Sequence, residues 1–163
     1  MIRTLLNIFR GLAVLGSLGR ESTAGPVITG PARVIDGDTI EVAGQRIRLY
    51  GIDAPEMGQP CTDPHGTYDA GAEARRALHE ITDGEMVTCQ PLGRDRYGRT
   101  LAEVRNNRWG NVNATMVRAG WALDYETYSK GRYLEHQDEA RAAKRGLWAG
   151  AFILPGMWRR NTR

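Results

Sequence analysis

The chain has 163 residues, enough for one domain and too few for two ordinary ones. Charged residues make up 25% and hydrophobic ones 41%, a balance that excludes a disordered polyelectrolyte and permits a packed core. The net charge is only +3, and acidic residues outnumber basic ones between Pro31 and Gly110. A polyanionic partner would therefore have to be held by placed arginines and not by a general basic field.

Residues 1–24 have the pattern of a leader. Arg3 and Arg10 are followed by the apolar run Gly11–Leu18, which is too short to span a bilayer, and Ser22 and Ala24 supply small residues for a cleavage point. Export to the periplasm or the medium is expected, without stable membrane insertion. The alternative is a cytosolic chain with an amphipathic N-terminal helix, since Asn7 and Arg10 interrupt the apolar block.

From residue 25 the chain reads as one domain. Val27–Ile35 suits a strand, Asp36-Gly37 is a hairpin turn signal, and Thr39–Val42 continues as a second strand. Ala43-Gly44 turns again into a third strand, Arg46–Tyr50. Glu56–Tyr68 is rich in Gly, Pro and Asp and is expected to be a loop. Ala72–Ile81 has helical composition and stops near Asp83-Gly84. Glu85–Gln90 alternates as a fourth strand, and the segment PLGRDRYGR leads into a fifth, Thr100–Arg105. Asn111–Ala119 is a short helix ended by Gly120, and Gly131–Arg145 a longer one ended by Gly146. Five strands with about three helices predict an α+β protein built on a five-stranded OB-type barrel.

Three segments carry chemistry. In VIDGDTI, alternation puts Asp36 and Asp38 on one side of the chain, where two close carboxylates repel unless a cation or donors lie between them. Asp-Gly turn chemistry alone also accounts for that pair. In IRLYGIDAPE, Asp53 and Glu56 follow an apolar strand, and Pro55 biases Ala54 to an extended conformation that leaves its carbonyl available. Asp38, Asp53 and that carbonyl make an oxygen-rich set suited to Ca²⁺. Glu56, one water away from such an ion, suits a general base, and Arg48 could reach a phosphate on the same ion. A surface ion pair of Arg48 with Asp53 or Glu56 is the plainer reading. In GRDRYGR, Arg94, Arg96 and Arg99 surround Tyr97, a combination that suits phosphate clamping and base stacking, or simply a solvated turn.

The set VIDGDTI, IRLYGIDAPE, DRYGR, MVRAGWA and GLW resembles the staphylococcal (micrococcal) nuclease family, in the family's order, from about Val34 to Trp148. That resemblance implies a Ca²⁺-dependent phosphodiesterase acting on DNA and RNA, with a preference for single-stranded substrate. It implies Asp38, Asp53 and the Ala54 carbonyl as metal ligands and Glu56 as general base. Arg48 and Arg99 would brace the phosphate, Arg96 and Tyr97 would contact the nucleotide, and Asp36 would support the metal ligands from behind. Tyr125, Tyr128 and Tyr133 are further nucleotide contacts to choose among. A monomer is expected. The alternative is an OB-fold module that binds nucleic acid without cutting it. The tail FILPGMWRR resembles a bacterial branch of exported members and lies outside the pattern of the reference enzyme.

Cys61 and Cys89 lack zinc spacing and fit either one disulfide or two unrelated thiols. Trp109, Trp121, Trp148 and Trp158 are expected in the core or against helices.

Overall fold

A computed structural model describes residues 25–162. Its centre is a barrel of five strands. β1 (Ile28–Asp36), β2 (Thr39–Val42) and β3 (Gln45–Leu49) form an antiparallel meander. β1 also pairs with β7 (Met86–Arg94), which pairs with β8 (Thr100–Asn106). β8 then runs parallel to β3 and closes the barrel. Closure leaves no free sheet edge and fills the interior with side chains. Ile40, Val42, Ile47, Leu49, Val87, Cys89, Ala102 and Val104 form that interior.

The expected strands are all present, with ends shifted by a residue or so except in β7. That strand runs on through Pro91 to Arg94, past a register shift between Pro91 and Gly93. Proline at a bulge removes no ladder hydrogen bond the sheet needs, so the PLG sequence bends the strand without ending it.

The expected loop at 56–68 is corrected by the structure. β5 (Pro60–Asp63) and β6 (Gly66–Asp69) form a hairpin whose turn is tied by Asp63 Oδ1, which accepts from His65 N and Gly66 N. Its strength is tertiary. Cys61 is buried with Ala70 and Leu147, and β5 pairs with β11 (Ala151–Phe152) ninety residues downstream.

Among the described residues five helices are present where about three were expected. α1 (Ala70–Thr82) is capped by Asp69, whose side chain accepts from Ala72 N, and it buries Ala74, Ala77, Leu78 and Ile81 against the barrel. α2 (Val112–Arg118) is capped in the same way by Asn111. The long helix expected at 131–145 is shorter, α4 (Leu134–Ala142), and the short α3 (Glu126–Ser129) precedes it. Lys130 between them has φ of 56°, which ends α3 in the left-handed region. α5 (Pro155–Asn161) starts at a proline in its first turn.

Trp121 packs against both core clusters, as expected, but Trp109 is exposed on the turn after β8 with Arg108 over its ring. Cys61 and Cys89 are both free and lie in separate buried clusters. The leader expected at residues 1–24 lies outside the described residues.

Candidate active site

The end of β3, the turn between β1 and β2, and the loop between β7 and β8 open onto one cleft of about 810 Å³. Its walls include Asp36, Asp38, Arg48, Ala54, Glu56, Arg96, Tyr97 and Arg99, drawn from three separate stretches of sequence. Asp53 joins them by accepting a hydrogen bond from Arg48.

The β1–β2 turn supplies Asp38. Gly37 is what lets the turn sit there: a Cβ on it would lie 2.7 Å from Ala74 Cβ and 2.8 Å from Ala54 Cβ. Asp36 Oδ1 accepts from Asp38 N, so turn chemistry and proximity of the two carboxylates coexist. Asp38 is buried. Its Oδ1 accepts from Arg48 Nη1 at 2.6 Å and its Oδ2 from Ala54 N at 3.0 Å. Burial pushes the Asp38 carboxyl up to about 7, with Asp36 and Asp53 adding to the rise and Arg48 pulling against it.

Arg48, in the middle of β3, forks between two carboxylates, with Nη2 3.1 Å from Asp53 Oδ1. Arg48 thereby bridges two buried acids, Asp38 from the turn between β1 and β2 and Asp53 from the short strand that follows β3. Asp53 is in β4 (Ile52–Asp53), which pairs with β10 (Leu123–Asp124).

Glu56 follows on a tight turn. Gln59, fully buried, holds that turn in both directions: its side-chain oxygen accepts from Glu56 N and its backbone N–H donates to Glu56 O. The helix behind makes room. A Cβ on Gly71 would lie 2.1 Å from Glu56 O, so only glycine fits there.

The β7–β8 loop supplies the rest. Asp95 is its organiser. Its Oδ1 accepts from Tyr97 N and Arg99 N, and its Oδ2 from Arg99 Nε at 2.6 Å. Although burial opposes it, these bonds hold the Asp95 carboxyl below its ordinary value. Arg99 is thereby pinned with its two Nη groups left over for a ligand. Tyr97 is exposed and flanked by the Arg96 and Arg99 guanidinium groups, 4.9 Å and 5.7 Å from the ring centre.

Tyr125 and Tyr128 line the far side of the same cleft, their rings 5.4 Å apart, and Tyr50 meets Tyr128 edge-on. Tyr133 does not line the cleft: it is buried in the core at the N-terminus of α4.

Asp95, Gly71, Gln59 and Arg159 are not marked as site residues by the sequence. Asp95 stands in a motif whose cations drew attention, yet an aspartate two residues before an amide it accepts from is an ordinary turn signature. Gly71 leaves no local signal. Arg159 is on α5, 106 residues from its partner, and enters the cleft beside Asp53 and Glu56. The proline opening that helix was legible, but not where the helix docks.

The closed five-stranded barrel with helices on its flanks places the chain among OB-like α+β proteins. It belongs to the staphylococcal nuclease homologue family, whose model matches residues 46–150. The chain is 40% identical over 140 residues to the succinoglycan biosynthesis protein ExoI of Rhizobium meliloti (strain 1021), covering 83% of this chain and 73% of that one. It is 44% identical over 133 residues to an uncharacterized endonuclease of Escherichia coli O157:H7, covering 78% and 81%. It is 35% identical over 147 residues to a micrococcal nuclease of Shigella flexneri, covering 80% and 79%. The matched family span contains Arg48, Asp53, Ala54, Glu56, Arg96, Tyr97 and Arg99, and ends before Arg159.

Proposed function

We propose that the chain is a Ca²⁺-dependent nuclease that hydrolyses phosphodiester bonds in DNA and RNA. The observation that carries this reading is the convergence of two buried aspartates, a half-exposed glutamate and two arginines on one open cleft. Relatives named as endonucleases and as a micrococcal nuclease support it.

The residues fit a hard divalent cation. Among the described residues no group of three or more His, Cys, Asp or Glu side chains forms a metal cage. A site here would use two carboxylates, the Ala54 carbonyl and water, and oxygen donors with retained waters suit Ca²⁺. Asp38 and Asp53 would hold the ion, with Asp36 fixing the Asp38 backbone behind them. Bound there, the ion would supply positive charge to the phosphate and polarise it.

The chain's own groups do the remainder. Glu56, at the cleft wall and half exposed, takes a proton from the attacking water on its carboxylate oxygen. Arg99, with Nε anchored on Asp95, offers both Nη groups to the phosphate oxygens as negative charge grows on them. Arg48 performs the same service from the floor while keeping Asp38 and Asp53 in register. Arg96 adds a further cation, and Tyr97, Tyr125 and Tyr128 offer faces to unstacked bases, which favours single-stranded substrate. The protein acts as an exported monomer.

Digestion of single-stranded DNA and RNA with Ca²⁺, and with EGTA in its place, tests the reading. Cleavage with Ca²⁺ that stops in EGTA is expected. Binding of nucleic acid without cleavage would point instead to a non-catalytic OB-fold module.

A further inference from the structure

Arg159 makes three hydrogen bonds in the cleft. Its Nη1 donates to Glu56 Oε1 at 2.7 Å and to Asp53 Oδ1 at 3.0 Å, and its Nη2 donates to Asp53 Oδ2 at 2.8 Å. Asp53 Oδ1 also accepts from Arg48. Both oxygens of one proposed ion ligand, and one oxygen of the proposed base, are therefore committed to guanidinium groups. Lone pairs used in this way are withdrawn from a metal ion and from a proton of water.

The helix that delivers Arg159 is lightly held. Of the seven residues in α5 only Pro155 is buried, while Met157 and the preceding Leu154 are about half exposed. Leu154 contributes no side-chain cap. A helix this short does not persist in water on its own hydrogen bonds. The chain just before it is firmly fixed: Phe152 pairs with Cys61, and Gln59 Nε2 donates to Ile153 O at 2.6 Å. Beyond Ile153 the ion pairs of Arg159 are the main polar attachment. α5 also lies close over Asp53, since a Cβ on Gly156 would be 4.0 Å from Asp53 Oδ2.

We propose that α5 is a cation-released latch: Arg159 occupies the Asp53 oxygens that the divalent ion needs and ties up Glu56, and binding of that ion displaces it and swings residues 155–162 away about the Ile153–Leu154 junction. This rests on the function proposed above and concerns how that site is regulated. The ion and the guanidinium need the same Asp53 oxygens, so the two occupancies exclude one another. Whatever the latch contributes to the closed state is subtracted from ion binding, and the latch sets the Ca²⁺ concentration at which Glu56 becomes free.

Hydrogen exchange of the full chain with and without saturating Ca²⁺ reads the latch directly. Amides of residues 157–162 should exchange at least about tenfold faster with Ca²⁺, while those of β7 and β8 stay unchanged. Calorimetry on Arg159→Gln, which leaves the barrel untouched, should show Ca²⁺ bound roughly tenfold tighter than by the wild type, with Arg159→Lys in between. Exchange in α5 that is unchanged or slowed by Ca²⁺ overturns the latch even if the protein cleaves DNA. Calcium binding to Arg159→Gln no tighter than to wild type does the same. Failure of every variant and the wild type to bind Ca²⁺ overturns the latch together with the proposed function.

Discussion

Gly71→Ala is the sharpest structural prediction. Gly71 sits in the first turn of α1, where alanine would ordinarily favour the helix by about 1 kcal/mol. Here the new Cβ would lie 2.1 Å from Glu56 O, 2.4 Å from Glu56 C and 2.6 Å from Met57 N. All three are backbone atoms, so no side chain can swing away. An ordinary contact begins at 3.4 Å, and the Glu56–Met57 peptide must therefore retreat by about 1.3 Å. Overpacking of this kind costs about 1–3 kcal/mol, which outweighs the helix gain. A displacement of that size in a catalytic group corresponds to about a hundredfold loss in rate. Single-turnover cleavage with Ca²⁺, read beside a thermal melt, separates the two effects. The expected result is a melt lowered by a few degrees with a rate about a hundredfold down in the still-folded protein. Wild-type rate and a raised melting temperature would show that Gly71 does not position Glu56.

Other consequences are equally checkable. Asp95→Ala frees Arg99 and the two amides it fixes, and single-turnover cleavage should fall about a hundredfold while thermal stability changes little; an unaffected rate would remove Asp95 from the positioning role. Asn113→Ala removes a buried side chain that accepts from Val104 N and donates to Tyr50 O and Ala102 O, and should cost about 3 kcal/mol in urea unfolding; a cost below about 1 kcal/mol would contradict it. Burial pushes the Cys89 thiol up to about 12, so at pH 8 it stays protonated and unreactive. Ellman's reagent should titrate neither Cys89 nor Cys61 in the native protein and both after denaturation. No thiol in the denatured protein would mean a disulfide.

The barrel was legible because its strands are bounded by local signals. Asp36-Gly37 and Ala43-Gly44 fix two hairpins within twenty residues, and alternation marks the faces of β2 and β7. The hairpin at 60–69 was not legible, because what turns that Gly- and Pro-rich stretch into strands is the packing of Cys61 under Leu147 and the pairing with β11. The cleft followed a similar division. Asp38, Arg48, Asp53, Glu56 and Arg99 stand in short motifs whose residue types already suggest anion and cation chemistry. Gly71 and Gln59 act through backbone clearance and a buried amide, for which local sequence offers no pattern. No choice among Tyr125, Tyr128 and Tyr133 was legible, because three tyrosines within nine residues look alike until the fold buries Tyr133.

The assignment of Glu56 as base is tested most directly by Glu56→Gln, measured for cleavage and for DNA binding with Ca²⁺ present. Cleavage slowed by roughly three or more orders of magnitude with binding largely kept is expected, since the amide keeps the shape and loses the proton acceptor. Cleavage near the wild-type rate would contradict it.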